Sequence, residues 1–183
     1  MVRQMRNALL SLGIAASLLT TPVLAQNRVQ ATPGPMASYA APTESALLLG
    51  KWTYRSYFNT AALVTDADSA LAQIFGQGVF TFETPSSSTL TGTFDMGGGL
   101  VLDMKGMFRP AAPGSPLTLE LVGSGRAGTG TDGWQYDYNA FLAHRWPNGV
   151  NQIPALVGSV IRAKPHNGSP AGFVASFIAV KQP

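Results

Sequence analysis

The chain contains no cysteine and only two histidines among its 183 residues. The absence of cysteine excludes disulfide bonds and zinc–thiolate sites, so the core alone must hold the fold together. His144 and His166 do not have the His-x-His or His-x-x-x-His spacing that indicates a metal site. We therefore expect no metal and no cofactor, and we interpret His166, which lies in a Pro/Asn/Gly turn, as a solvated residue.

Charged residues are also scarce, at 11% of the chain, with 12 Lys and Arg against 9 Asp and Glu. Two of the bases, Arg3 and Arg6, belong to the N-terminal segment, and without them ten bases face nine acids. The remaining bases are scattered singly along the chain. A surface that binds nucleic acid requires clustered positive charge, so we expect no nucleic-acid partner.

The chain has a single long apolar run, Ala8–Leu19, which is too short to span a bilayer. Arg3 and Arg6 precede it, and Val23-Leu24-Ala25 follows with small residues suited to signal peptidase. This pattern predicts a signal peptide over residues 1–25 and an exported protein, either periplasmic or secreted. A retained N-terminal anchor helix is the alternative. Without a second long apolar run, we expect no stable membrane insertion of the mature chain.

Residues 26–44 are rich in Ala, Pro, Ser and Gln and include Pro33-Gly34-Pro35. Such a segment buries too little apolar surface to become ordered, so it is interpreted as a flexible leader. The remaining residues, 45–183, are numerous enough for one domain with a substantial core.

That domain has the sequence features of an all-β fold. Period-two alternation, β-branched and aromatic residues, and Gly/Pro/Asn turns mark eight segments as strands. Between the first two, Thr65–Phe75 is richer in helix-forming residues and predicts a short helix or an ordered loop. Strands joined by short turns predict an eight-stranded antiparallel up-and-down barrel, whose interior is filled by side chains or holds one small ligand. The predicted strands are Leu48–Phe58, Gly78–Thr84, Thr89–Asp95, Leu100–Phe108, Leu117–Gly125, Trp134–Trp146, Ile153–Lys164 and Gly172–Lys181.

Two short motifs resemble known barrel families. Gly50-Lys51-Trp52-Thr53 resembles the first strand of avidin-type barrels and, more loosely, the Gly-x-Trp of lipocalins, while Leu90-Thr91-Gly92-Thr93-Phe94 is similar to the Thr-Gly-Thr-aromatic strand of avidins. The resemblance to these calycin-type barrels implies the architecture and a ligand in the lumen. It also implies that a late-strand arginine, Arg162, packs over Trp52. Biotin is not implied, because the bulky Tyr54–Phe58 stands where avidins carry a short polar stretch.

The sixth predicted strand has an aromatic face with Trp134, Tyr136 and Tyr138, and a polar face with Asp137 and Asn139. Either face could line a lumen. In the simpler interpretation the aromatic face is core and the polar face is solvated. A lumen site would combine rings from the first and sixth strands with nearby polar groups. The predicted ligand-binding residues are Trp52, Tyr54, Tyr136, Asp137, Tyr138, Asn139, His144 and Trp146.

Three functions remain open at this point. The first is an exported small-molecule-binding barrel with a small apolar or amphipathic ligand in or near the lumen. The second is a metal-free cyclase or isomerase that uses the barrel cavity. Such catalysis needs shape and one or two polar groups and leaves almost no sequence signature, so no catalytic residue is assigned. The third is a structural or interaction protein with a filled barrel, and a homo-oligomer is compatible with each. A transmembrane barrel is disfavoured because the last strand ends in Lys181-Gln182-Pro183 without a terminal aromatic residue. A filled lumen favours the third function and an open apolar lumen the first.

Overall fold

The computed structural model of the protein describes residues 44–61, 63–83 and 88–183. The predicted signal peptide, and the predicted leader apart from its last residue, lie outside these ranges. The described chain contains two five-residue helices and eight strands. In chain order they are α1 (Glu44–Leu48), β1 (Gly50–Phe58), α2 (Ala67–Leu71), β2 (Ile74–Glu83), β3 (Thr89–Asp95), β4 (Val101–Arg109), β5 (Thr118–Gly125), β6 (Gln135–Leu142), β7 (Ala155–Arg162) and β8 (Val174–Lys181).

The eight strands form a closed antiparallel barrel in sequence order, so the predicted fold class is confirmed. Each strand pairs with its neighbour along the chain, and β8 closes the barrel by pairing with β1. Closure leaves no unpaired strand edge. The end of the barrel where β1 begins is called the lower end, and the opposite end is called the upper end. Odd-numbered strands therefore run from the lower end to the upper end, and even-numbered strands run in the opposite direction.

The barrel interior is filled by side chains. Strand residues alternate between the two faces, so each strand sends every second side chain inward. Tyr54 lies near the centre, where its ring centroid is 4.8 Å from those of both Phe80 and Phe94 and 5.1 Å from that of Phe177. The other large buried side chains of the interior include Trp52, Phe82, Leu90, Leu102, Met104, Phe108, Leu119, Leu121, Tyr138, Leu156 and Val160.

Inward-facing glycines make room for these rings and for tight strand packing. A Cβ atom on Gly92 would clash with the carbonyl oxygen of Thr81 on β2, and one on Gly106 would clash with that of Glu120 on β5. Glycine at such positions allows neighbouring backbones to approach closely. The Gly92 of the Thr-Gly-Thr-Phe motif thus has a structural role in the barrel wall.

The lower end is closed by α1, which the sequence analysis did not predict. Leu48 was assigned to the first strand, but it ends α1 and is fully buried, and its carbonyl accepts a 2.9 Å hydrogen bond from Trp52 Nε1. Lys181 Nζ lies 5.8 Å from the Trp52 ring centroid and donates to the Leu47 carbonyl at 2.7 Å. The expectation that Arg162 covers Trp52 is therefore wrong. Strand β7 ends at the upper end, so its last residue lies at the opposite end from Trp52, and the cation from the end of β8 takes that place.

The helix predicted between the first two strands is present as α2. Asp66 is its N-cap and accepts a 2.7 Å hydrogen bond from the backbone N–H of Ser69. None of its residues is buried. The helix ends at Leu71, well before the predicted limit at Phe75, because β2 already begins at Ile74. No helix of the described residues is long and apolar enough to span a membrane.

Candidate functional site

Aromatic side chains lie together with a histidine and an arginine at the upper end of the barrel. Four parts of the chain supply them: the start of β6 with the residue before it, the end of β7 with the turn that follows, the start of β2, and the residue before β8. Tyr136 pairs with Arg162 across the β6–β7 ladder, which places both on the inward face at this end. The upper-end cluster consists of Phe75, Trp134, Tyr136, Arg162, His166 and Phe173.

His166 is held by a tight turn between β7 and β8. Its backbone N–H donates to the Ser169 carbonyl, and the Ser169 N–H donates back to the His166 carbonyl. Between them Asn167 and Gly168 have φ values of 47° and 73°, which is the Asn-Gly two-residue turn typical of hairpins. The interpretation of His166 as a solvated turn residue is wrong, because the turn places its ring against the barrel end.

The His166 ring makes two contacts with β6 and the residue before it. It stacks on Trp134 at 3.9 Å between centroids with planes 16° apart, and its Nε2 lies 2.7 Å from the Tyr136 hydroxyl. Burial, and secondarily the charge of Arg162, hold the pKa of His166 below its ordinary value. The neutral imidazole is therefore the favoured form in the folded protein.

Arg162 lies close to two aromatic rings. Its guanidinium carbon lies 5.4 Å from the Phe75 ring centroid and 5.6 Å from that of Phe173, both within cation–π distance. One terminal nitrogen donates to the Pro170 carbonyl at 3.3 Å. Among the described residues, the salt bridges are those of Arg109 and Arg126, so no carboxylate neutralises this guanidinium.

Two nitrogen atoms of the cluster are buried without a hydrogen-bond partner in the described protein. They are Nε of Arg162 and Nδ1 of His166. The arginine Nε always carries a proton, and His166 Nδ1 carries one when Tyr136 donates its hydroxyl proton to Nε2. In that tautomer both unpartnered groups are donors, beside a positive charge. A buried donor without an acceptor costs about 1–3 kcal/mol, so the cluster is suited to a group rich in acceptors, such as a carboxylate.

The inward tyrosines Tyr54 and Tyr138 lie deeper, in the packed interior. Burial raises the pKa of both phenols above the ordinary value, so both are neutral at physiological pH. Tyr138 contacts Phe80 edge-on, with 5.5 Å between the ring centroids. Together with Trp52 at the lower end, these side chains belong to the core.

The polar face of β6 points outward. Asp137 accepts a 3.1 Å hydrogen bond from Gln135 Nε2, and Asn139 is exposed. Both line a shallow depression of about 360 Å³ on the outer wall, which also includes Ser159 and Ile161. The barrel wall thus separates them from Tyr136 and Tyr138.

His144 and Trp146 lie outside the barrel. Strand β6 ends at Leu142, four residues before the predicted end, so the alternation no longer sets where these side chains point. The two rings meet edge to face at 5.3 Å in the loop at the lower end, and Trp146 is 71% exposed. Of the eight predicted residues, the structure therefore brings only Tyr136 into the upper-end cluster.

The other five residues of the cluster were not among the predicted site residues; they are Phe75, Trp134, Arg162, His166 and Phe173. One signal could have found two of them. In an up-and-down barrel the start of the sixth strand and the end of the seventh meet at one end, and Trp134 and Arg162 stand at those positions. The Asn167-Gly168 turn then folds His166 back towards the same end.

No three His, Asp or Glu side chains of the described residues come together in a group that could hold a metal ion. Comparison of the chain with protein-family models, curated proteins and solved structures finds no match. Its function is therefore inferred from the geometry of this protein alone.

Proposed function

We propose that this protein is an exported barrel that binds a small amphipathic molecule at its upper end, near the lumen but outside the packed interior. The ligand carries a carboxylate or a similar acceptor-rich head and an apolar body. The head pairs with Arg162 and His166, and the body packs on the rings of Phe75 and Phe173.

The observation that carries this proposal is the pair of unpartnered nitrogens, Arg162 Nε and His166 Nδ1. Buried donors in folded proteins are nearly always satisfied, so such groups at the mouth of a barrel require an explanation. In the proposed complex, the carboxylate accepts from both donors and neutralises the guanidinium. The surrounding rings raise the strength of that interaction by excluding water.

We also propose an avidin-like or calycin-type origin for the barrel, on the strength of its two short motifs. Such barrels have a ligand in the lumen, and the Gly-Lys-Trp-Thr and Thr-Gly-Thr-Phe motifs lie here on β1 and β3. In this chain the lumen is occupied by Tyr54, Phe80 and Phe94. We infer that a barrel with this filled interior holds its ligand at the upper end instead.

The test uses benzoate as the probe, with benzyl alcohol as its uncharged counterpart. If benzoate binds with a dissociation constant near 0.1 mM, 10 mM benzoate stabilises the protein by about 2.7 kcal/mol, which thermal unfolding detects. Benzyl alcohol should stabilise it far less. Arg162→Met should abolish the benzoate effect, whereas Arg145→Met, an exposed arginine of the lower-end loop, should retain it.

Native mass spectrometry of the protein recovered from the exported fraction of its host complements this test. It reports the N-terminal residue, expected to be Gln26, and any retained molecule. Equal benzoate shifts in the two arginine variants, or no shift in the wild type and no retained molecule, would count against the binding site.

A second function is favoured by a different observation, the filled interior. Tyr54 and its neighbouring rings leave the outer wall and the loops as the available surfaces. If the upper end binds nothing, we propose that the barrel is an interaction protein that works through its outer wall.

A further inference from the structure

The hydrogen bond between Tyr136 and His166 has a direction, and that direction decides what the upper-end cluster offers to a ligand. The tyrosine oxygen lies 2.7 Å from Nε2 of His166, and each of the two groups can donate or accept. In the first arrangement the hydroxyl donates to Nε2, and the neutral ring carries its proton on Nδ1. In the second, Nε2 carries the proton and donates to the tyrosine oxygen.

The first arrangement leaves fewer buried groups without a partner. Tyr136 is 8% exposed, and Nε2 of His166 is the hydrogen-bond partner of its hydroxyl among the described residues. In the second arrangement the hydroxyl proton and the lone pair of the buried Nδ1 would both be unmatched. In the first arrangement the Nδ1 proton alone is unmatched. Unmatched buried polar groups are costly, so the hydroxyl is the donor in this bond.

Two contacts fix the direction in which Nδ1 of His166 points. The stack on Trp134, with 3.9 Å between the ring centroids, fixes the plane of the imidazole. The hydrogen bond with Tyr136 fixes its rotation within that plane, because a flipped ring would place carbon where Nε2 now lies. The Nδ1 proton is therefore held in one direction, ready for an acceptor.

Arg162 is the charged group that acts on His166. Burial, and after it the charge of Arg162, lower the pKa of His166, so the ring is neutral above pH 6.5. Lys164, in the turn after β7, is exposed, and the Asp132 carboxylate before β6 accepts a 3.1 Å hydrogen bond from Gly128. The other side chains of the upper-end cluster are aromatic. Above pH 6.5 the tautomer of His166, and not its charge, therefore decides what Nδ1 offers.

We propose that Tyr136 determines the ligand class of the upper-end cluster by holding His166 in the Nδ1–H tautomer. The cluster then presents two donors, Arg162 Nε–H and His166 Nδ1–H, and selects a carboxylate over a carboxamide of the same shape. A carboxylate has an acceptor for each donor, whereas a carboxamide turns its own N–H groups towards one of them. This inference rests on the binding site proposed above. Tyr136 is a positioning residue in it, because its hydroxyl acts on the ligand through His166.

Tyr136→Phe removes the hydroxyl and keeps the ring. Without the hydrogen bond from the hydroxyl, the neutral histidine prefers to carry its proton on Nε2, which is the intrinsic preference of this side chain. The cluster then offers one donor, on Arg162, and one acceptor, on His166. This pair matches the carbonyl oxygen and the amino group of a carboxamide. The variant should therefore bind benzoate less tightly and benzamide more tightly, a change that a loss of packing does not produce.

Titration calorimetry of the full exported protein with benzoate and with benzamide measures this specificity. It is done at pH 8, which is about 1.5 units above the ordinary histidine pKa. The wild type should prefer benzoate, and Tyr136→Phe should shift the ratio of the two dissociation constants towards benzamide by about 10-fold or more, as for a lost hydrogen bond to a charged acceptor. The matched control is Tyr138→Phe, which removes a buried hydroxyl from the same face of β6 and should keep the wild-type ratio.

Lowering the pH should restore the second donor without the tyrosine. Protonation places a hydrogen on both ring nitrogens, so Nδ1 of His166 again donates in Tyr136→Phe. A bound carboxylate favours the charged ring and raises the pKa of His166 from its lowered value in the free protein. The loss of benzoate affinity in the variant should therefore be smaller at pH 5 than at pH 8. A hydroxyl that only packed against the ring would give the same loss at both values.

Nitrogen NMR without any ligand tests the tautomer separately from binding. Long-range ¹H–¹⁵N correlations distinguish a protonated ring nitrogen from an unprotonated one, and His144→Gln assigns the signals of the two histidines. At pH 8 His166 should carry its proton on Nδ1 in the wild type and on Nε2 in Tyr136→Phe. The wild-type spectrum gives its answer even where the variant fails to fold.

Three results would overturn the role of Tyr136 and leave the binding site in place. They are a proton on Nε2 of His166 in the wild type, an unchanged preference for benzoate in Tyr136→Phe, and an equal loss of benzoate affinity at pH 5 and pH 8. Failure of the wild type to bind benzoate would overturn both proposals.

Discussion

Replacing Tyr54 by alanine tests whether the interior of the barrel is filled. Three rings lie about 5 Å from the Tyr54 ring, so its removal leaves a cavity that strand backbones cannot close. Large aromatic-to-alanine changes in a core cost about 3–5 kcal/mol, and the lost ring pairs place this one near the upper limit. For a domain of this size we expect the melting temperature to fall by roughly 12 °C.

The matched control is Tyr57→Ala on the same strand. Tyr57 points outward and is 39% exposed, so its removal opens no interior cavity and should cost below about 1.5 kcal/mol. Chemical unfolding of both variants measures the difference in the free energy of unfolding. The variant Tyr54→Phe separates the ring from the hydroxyl and should remain close to the wild type.

The cavity also offers a positive measurement. An apolar cavity left by a removed side chain stays dry and binds small apolar molecules. Benzene should therefore raise the melting temperature of Tyr54→Ala and leave that of the wild type unchanged. If Tyr54→Ala costs no more than Tyr57→Ala, the interior around Tyr54 is not packed. The lumen would then again be the place to search for a ligand.

Two further predictions follow from the barrel wall and its upper end. Gly106→Ala should lower the free energy of unfolding by about 2–4 kcal/mol, because its Cβ would collide with the backbone of β5. Gly76→Ala is the control and should be near neutral, because its Cβ would make ordinary contact. Equal costs for the two variants would contradict the close approach of β4 and β5 at Gly106. The pKa of His166 is lower in the folded protein than in the unfolded chain, where it is about 6.5. The neutral side chain therefore contributes its full share to the free energy of unfolding above pH 6.5, and this share is lost as the pH falls. The melting temperature of His166→Gln should therefore fall less than that of the wild type between pH 7 and pH 5, while His144→Gln, at the exposed lower-end loop, should follow the wild type.

Much of the barrel was predictable from the chain. Eight alternating segments gave the strand number, and the segment Thr89–Asp95 was predicted with the bounds of β3. Some strand ends differed from the prediction. The fifth and eighth strands ended as predicted, but the sixth stopped at Leu142 because pairing with β5 and β7, and not its own pattern, sets its length.

The candidate site was predicted less well, for a physical reason. The alternating pattern of β6 separates an aromatic face from a polar face but does not show which of the two points inward. Tyr136 and Asp137 were therefore both plausible lumen residues. Closure of the barrel decides between them, because the face with the larger apolar area must be buried. As a result, Asp137 and Asn139 lie on the outer wall.

The sequence by itself determined the strand order, the short turns and therefore the up-and-down barrel, since each depends on residues close together in the chain. The tertiary structure alone decided which distant residues meet at the two ends. Lys181 reaches Trp52 at the lower end, and Arg162 reaches Phe75 and Phe173 at the upper end. Pairing of β8 with β1 fixes both encounters, because it joins the two ends of the domain in one register, and no local pattern encodes that register.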